Sequence, residues 1–233
     1  EPADDIEWLR SNTYPSAAWD PSQDAGGIAY YEYCLTTVAS DVECVPGAIQ
    51  ASGTTTESQV SISLQNALPY YGPRYFWCVR AFDMSANYSP FSCSNGFTVD
   101  ATRPTSPALT NPVNASTVEA SSAVTMTWTE SSEDQSGLAA YRIRYALLGQ
   151  LDAADWQSVA TNQFVADLSV PGTYQWEVQS WDNAGNHNES AGFFYVVPAV
   201  QAPVVTNVAS PQPGRVTFDI TTLTGVESFQ LYF

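Results

Sequence analysis

Lysine is absent from this chain, histidine occurs once, and no apolar run approaches the roughly 18–20 residues that span a bilayer. All seven basic residues are arginines, set against 24 acidic ones, for a net charge of −17. A chain so poor in cations repels phosphate backbones and anionic lipid, because nucleic-acid binding depends on clustered Lys and Arg. Nucleic acid is therefore excluded as a partner, and no part of the segment is read as inserting in a membrane. The acid surplus suits either a salty or extracellular medium or bound Ca²⁺. Imidazole chemistry could draw only on His187, in a turn between Asn186 and Asn188, with no Gly-x-Ser-x-Gly elbow to accompany it. Hydrolysis by paired carboxylates needs a cleft that small sandwiches seldom offer. The segment is read as non-catalytic.

Cysteine is also scarce. Cys34, Cys44, Cys78 and Cys93 lie in the first half of the chain, and none follows. They lack C-x-x-C spacing and stand far from His187, so disulfides in an oxidising compartment are expected rather than zinc. Pairing 34–44 with 78–93 joins partners close in sequence and is preferred. The pairing 34–78 with 44–93 stays open, since Cys34 and Cys78 are expected to face outward on neighbouring strands.

Apolar residues make up 44% of the chain, ample for packed cores. The most informative stretch runs from Tyr174 through Trp176, Val178 and Ser180 into Asp182-Asn183-Ala184-Gly185-Asn186. An earlier copy runs from Tyr75 through Trp77, Val79 and Ala81 into Asp83-Met84-Ser85-Ala86-Asn87. Residues two apart share one face of a strand, so the Tyr, Trp, Val and small positions are assigned to a core. Trp19 and Trp128 are assigned there as well. Phe82 and Trp181 have the opposite parity and are expected to face outward, as contacts for a ligand or a neighbouring domain.

Around these copies, short aromatic and alternating stretches (28–35, 60–64, 96–99; 124–128, 138–145, 164–168, 193–197) are separated by turn formers. This spacing predicts an all-β chain of tandem antiparallel β-sandwiches. The proline-bearing segment 100–107 marks a stiff boundary. The expected organisation is repeat 1 over 1–102, repeat 2 over 103–199 and the first strands of a third over 200–233. Residues 225–233 align with 137–145. Three strands leave a core face uncovered, so the chain is read as a segment of a longer array, the alternative being completion by a neighbouring chain.

With Trp on the second strand, Tyr-x-Ile-x-Tyr on the third and Gly-x-Tyr-x-Trp-x-Val on the sixth, the sequence resembles fibronectin type III and related immunoglobulin-like modules. It is most similar to tandem repeats of bacterial cell-surface proteins, through Trp128 to Tyr141, Asp182 to Asn186 and Phe97 to Pro104. The first repeat departs from that pattern at Met84-Ser85-Ala86. The resemblance implies an immunoglobulin-like fold and a spacer, adhesin or filament role at the cell surface. Its partners would be neighbouring repeats, copies of itself, or surface glycans and proteins. An accessory carbohydrate-binding region of a larger secreted enzyme is the alternative, and a phage or virus fibre module is a third. In such a topology the loops after the second and sixth strands share a pole, which would gather Asp100, Glu133, Asp134, Asp182, Asn183 and Asn186. Oxygen ligands of this kind suit Ca²⁺, and related arrays stiffen their junctions so. The competing reading is that Asp182 and Asn186 only close a turn. Sequons at Asn87, Asn114 and Asn188 are candidate glycosylation sites.

Overall fold

The aromatic, alternating segments form strands throughout, and among the described residues there is no α-helix, only a 3₁₀ turn at Leu151–Ala153. The computed structural model describes residues 6–10, 14–70, 72–200, 205–212 and 215–220. The chain divides into two compact units. The first comprises Glu1–Ser106, Ser131–Ala140 and Ser180–Asn188; the second comprises Pro107–Glu130, Tyr141–Gln179 and Glu189–Phe233.

The first unit holds β1 (Trp8–Leu9), β2 (Ser16–Ala18), β3 (Ile28–Thr36), β4 (Ile49–Thr55), β5 (Gln59–Ser61), β6 (Phe76–Asp83), β7 (Ser92–Cys93) and β8 (Thr98–Val99). One sheet runs β4-β3-β6-β7, a second pairs β2 with β5, and β1 lies parallel to β8. Alternation along β3 and β6 sends Leu35 and Trp77 into a core with Leu68, Tyr75, Phe97 and Val99.

The opposite parity carries Cys34 and Cys78, directly paired in register and expected to face outward. They do leave the main core, yet Cys34 is 0% and Cys78 2% exposed. Phe91 covers them, its segment being anchored where Phe91 N–H donates to the Asp41 oxygen at 2.9 Å. The disulfides run to the flanking segments, Cys34–Cys44 and Cys78–Cys93, with Cα separations of 6.2 and 4.0 Å. They pin a small second core against the outer face of the sheet.

The second unit carries β9 (Leu109–Asn111), β10 (Thr117–Glu119), β11 (Ser121–Trp128), β12 (Leu138–Leu147), β13 (Gln157–Val159), β14 (Gln163–Leu168), β15 (Gly172–Asp182), β16 (His187–Val197), β17 (Val205–Gln212) and β18 (Arg215–Ile220). The ends of β12, β15 and β16 at 138–140, 180–182 and 187–188 count with the first unit. The sheets run β10-β16-β15-β12-β13 and β14-β11-β9, and β17 pairs with β18. Trp128, Tyr141, Ile143, Trp176, Val178 and Phe194 are at most 2% exposed and form the core. Trp128 meets Tyr141 edge-on at 5.5 Å, and Trp19 meets Tyr31 the same way at 5.4 Å.

Trp19 nevertheless stays half-buried, contrary to its assignment to the core. Trp128 ends β11, which has a strand on each side. Trp19 follows β2, which among the described residues pairs only with β5. Of the third repeat expected over 200–233, the described residues form β17 and β18, and 225–233 lie outside the described residues.

Candidate functional site

Asp182 ends β15 and Asn186 precedes β16, and the two close the turn between those strands reciprocally. Asn186 N–H donates to Asp182 Oδ1 at 2.7 Å, its side-chain amide donates to Oδ2 at 2.9 Å, and Asp182 N–H donates to the Asn186 oxygen at 3.0 Å. Met84-Ser85-Ala86 does not break this pattern in the first copy. Asn87 N–H donates to Asp83 Oδ1 at 2.8 Å and its amide to Oδ2 at 2.7 Å. Those bonds hold the Asp83 carboxyl below the usual carboxylate range, the Asn87 side-chain amide contributing most. The left-handed position is Gly185 at φ 87° in one turn and Ala86 at φ 64° in the other.

The copies differ in what lies over the turn. Asp83 and Asn87 are partly or fully exposed, whereas Asp182 and Asn186 are 3% and 4% exposed. Asp100, itself 0% exposed, accounts for part of that burial. Its backbone oxygen accepts the second amide hydrogen of Asn186 at 3.0 Å, and its Oδ2 accepts Ser136 N–H at 3.2 Å. Its Oδ1 accepts Thr102 N–H at 2.8 Å. Further along the same segment, Asn188 donates to the Pro104 oxygen at 3.0 Å and Ser180 Oγ to the Thr105 oxygen at 3.0 Å. Thr105 N–H donates to the Ser132 oxygen at 3.0 Å, and Ser132 N–H donates to Thr105 Oγ1 at 2.9 Å. Residues 100–105 are thus fixed to the loops 131–140 and 180–188 within the first unit.

Five of the six proposed calcium ligands share this pole, and the carboxylate oxygens of three of them, Asp100, Glu133 and Asp182, accept N–H donors. Glu133 accepts Gln135 N–H and Gly137 N–H, the latter at 2.7 Å, and the Asn183 amide donates to the Ser136 oxygen at 2.8 Å. Asp134 is exposed. Among the described residues no three His, Cys, Asp or Glu side chains converge on a metal position. The arrangement is a hydrogen-bonded clamp.

The outward aromatics are half-buried rather than free. Trp181 stacks on His187 with ring centroids 4.2 Å apart, so the histidine is not the simple solvated turn residue its setting suggests. Phe82 stacks on Tyr30 at 4.7 Å and meets Tyr88 at a tilt with centroids 5.4 Å apart, with the Arg80 guanidinium 5.1 Å from its own centroid. Of the sequon asparagines, Asn87 and Asn188 donate their side-chain amides to Asp83 and Pro104, while exposed Asn114 accepts Phe193 N–H through its oxygen at 3.0 Å.

Sequence reasoning assigned Ser180 only to the core and Asn188 only to a sequon. The signal was present in the differences between the copies, for Ala81 and Ser89 stand at the equivalent places in the first.

No protein-family model matches the chain, and no curated protein matches it either. The solved fibronectin(III)-like modules of Clostridium thermocellum CbhA are similar to it, with a TM-score of 0.54 at 13% identity over 82% of this chain and 88% of that one. The fold is fibronectin type III-like. A second solved structure, dimeric latent PorU of Porphyromonas gingivalis, matches with a TM-score of 0.32 at 15% identity, over 92% of this chain and 25% of that one. At that score it bears on nothing further.

Proposed function

We propose that this chain is a non-catalytic structural segment of an extracellular or surface protein, a spacer, adhesin stalk or filament subunit built from tandem fibronectin type III-like repeats. The observation that carries the reading is the clamp on residues 100–105. A ligand-binding loop cluster would be expected to present free polar groups. Here Ser180, Asn186 and Asn188 all spend theirs on the backbone of the connecting segment. Such a segment transmits position and force instead of swinging freely, which is what a spacer requires. The two disulfides suit an oxidising compartment.

The accessory carbohydrate-binding reading would rest on Trp181, and His187 already occupies one face of that ring. A glycan array tests the choice directly. We expect no saccharide bound at the pole; binding that disappears in Trp181→Ala would transfer the chain to the carbohydrate-binding class.

A further inference from the structure

We propose that the four cysteines form a thiol–disulfide exchange site, at which a small-molecule thiol converts the pairing 34–44 with 78–93 into 34–78 with 44–93. The proposal does not depend on the spacer reading. The cysteines gather in one cluster, with Cys34, Cys78 and Phe91 buried and Cys44, Cys93 and Phe76 packed against them. Each is bonded to one neighbour and stands beside another. Cys34 and Cys78 are direct register partners on β3 and β6. Partners on adjacent antiparallel strands lie about 4.5–5.5 Å apart at Cα, within the span of a disulfide. Across the cluster, the segments that carry Cys44 and Cys93 are joined to each other. Phe91 N–H donates to the Asp41 oxygen at 2.9 Å, and Cys93 Sγ lies 3.4 Å from the Ser40 oxygen. Both new bonds would therefore join segments that already touch.

Exposure sets where the reaction starts. Cys34 and Cys78 are 0% and 2% exposed, out of reach of a dissolved thiol, whereas Cys44 and Cys93 are half-buried. A thiolate from solution attacks Cys93 Sγ, forming a mixed disulfide and expelling Cys78 as thiolate. The Cys78 thiolate attacks its register partner Cys34, which breaks Cys34–Cys44 and forms Cys34–Cys78. Cys44 leaves as thiolate and attacks Cys93 in the mixed disulfide, forming Cys44–Cys93 and returning the small thiol. Two disulfides stand before and after, so no oxidant or reductant is consumed. Entry at Cys44 runs the mirror sequence to the same products. As folded, each bond ties a flanking segment to the sheet. After exchange, one ties β3 to β6 and the other ties the two segments together. Phe91 then covers the sheet face through non-covalent contacts alone, among them the Arg80 guanidinium 4.6 Å from its ring.

Non-reducing peptide mapping tests this on the whole chain, after incubation with substoichiometric glutathione and alkylation of free thiols. Cleavage after Arg74 and Arg80 leaves Cys34 and Cys44 on one peptide and Cys78 and Cys93 on two others. A second cleavage at Glu43 separates Cys34 from Cys44. We expect peptides joined as 34–78 and 44–93, with an initial rate that rises about tenfold for a tenfold rise in thiol. The double variant Cys44→Ser with Cys93→Ser, shown to be folded by its thermal melt, should close a Cys34–Cys78 bond in oxidised glutathione. A native chain that keeps only its 34–44 and 78–93 bonds in the presence of thiol would overturn the proposal. So would 34–93 with 44–78 appearing in equal measure, which marks scrambling through unfolded chains, or a folded double variant whose two thiols stay free.

Discussion

Asn186 divides its two amide hydrogens between partners far apart in sequence, Asp182 Oδ2 at 2.9 Å and the backbone oxygen of Asp100 at 3.0 Å. One small side chain therefore closes a turn and also holds the connecting segment against it. Asn186→Ala would leave the buried Asp182 carboxylate and the Asp100 oxygen short of a donor. The expected loss is about 2–4 kcal/mol of stability, against less than about 1 kcal/mol for Asn87→Ala in the exposed copy. Denaturant melts of the two variants, side by side, measure the difference. Equal losses would show that the clamp over the second turn adds nothing.

The left-handed residue separates the two turns energetically. A non-glycine residue pays about 1–2 kcal/mol there. Ala86→Gly should relieve that strain and stabilise the protein by roughly 0.5–1 kcal/mol after the entropic cost of glycine. Gly185→Ala should cost about 1 kcal/mol, with no steric clash to add, because nothing lies within 4 Å of the new Cβ. Melting temperatures moving in the same direction for both variants would contradict this account.

The turn at 83–87 also sets a pH response. Because its amide and backbone bonds depress the folded-state value of Asp83, their stabilisation is present above the ordinary, unfolded carboxylate value. It disappears as pH falls through the depressed folded value, so the effect is confined to acid. Carboxyl NMR titration should place Asp83 below an ordinary Asp, and Asn87→Ala should raise it. A variant that titrates like the native protein would remove the Asn87 amide as the principal cause.

Both disulfides lie in the first unit and close short loops, with sequence separations of 10 and 15. Each should contribute roughly 2.5–3 kcal/mol through the unfolded chain. Reductant should lower one calorimetric transition and leave the other, which belongs to cysteine-free sequence, in place. Two transitions falling together would mean that the two units unfold as one.

The strand pattern was legible because alternation and the repeated Tyr-x-Trp-x-Val stretch are physical consequences of a half-buried strand. Trp176 and Val178 sit where parity puts them. Parity could not reveal that Phe91 would cover Cys34 and Cys78, since that depends on how a long hairpin folds back across a sheet face. It likewise could not tell Trp19 from Trp128, whose burial differs with the number of strands beside them. At the pole, the acidic residues were visible as a group, but what their oxygens accept is a matter of backbone N–H direction, which composition does not carry. Ser180 and Asn188 passed as ordinary residues because their partners are carbonyls of a segment 75 and 84 positions away.

The clamp on residues 100–105 is the centre of this account, and native-state hydrogen exchange tests it most directly. The amides to follow are those of Thr102, Ser136 and Asn186, each donating to a carboxylate of the pole. The account predicts protection well above loop rates, the same in excess chelator and in calcium, and lost together in Asn186→Ala. Exchange at loop rates in the native protein would contradict it, as would protection that appears only when calcium is added.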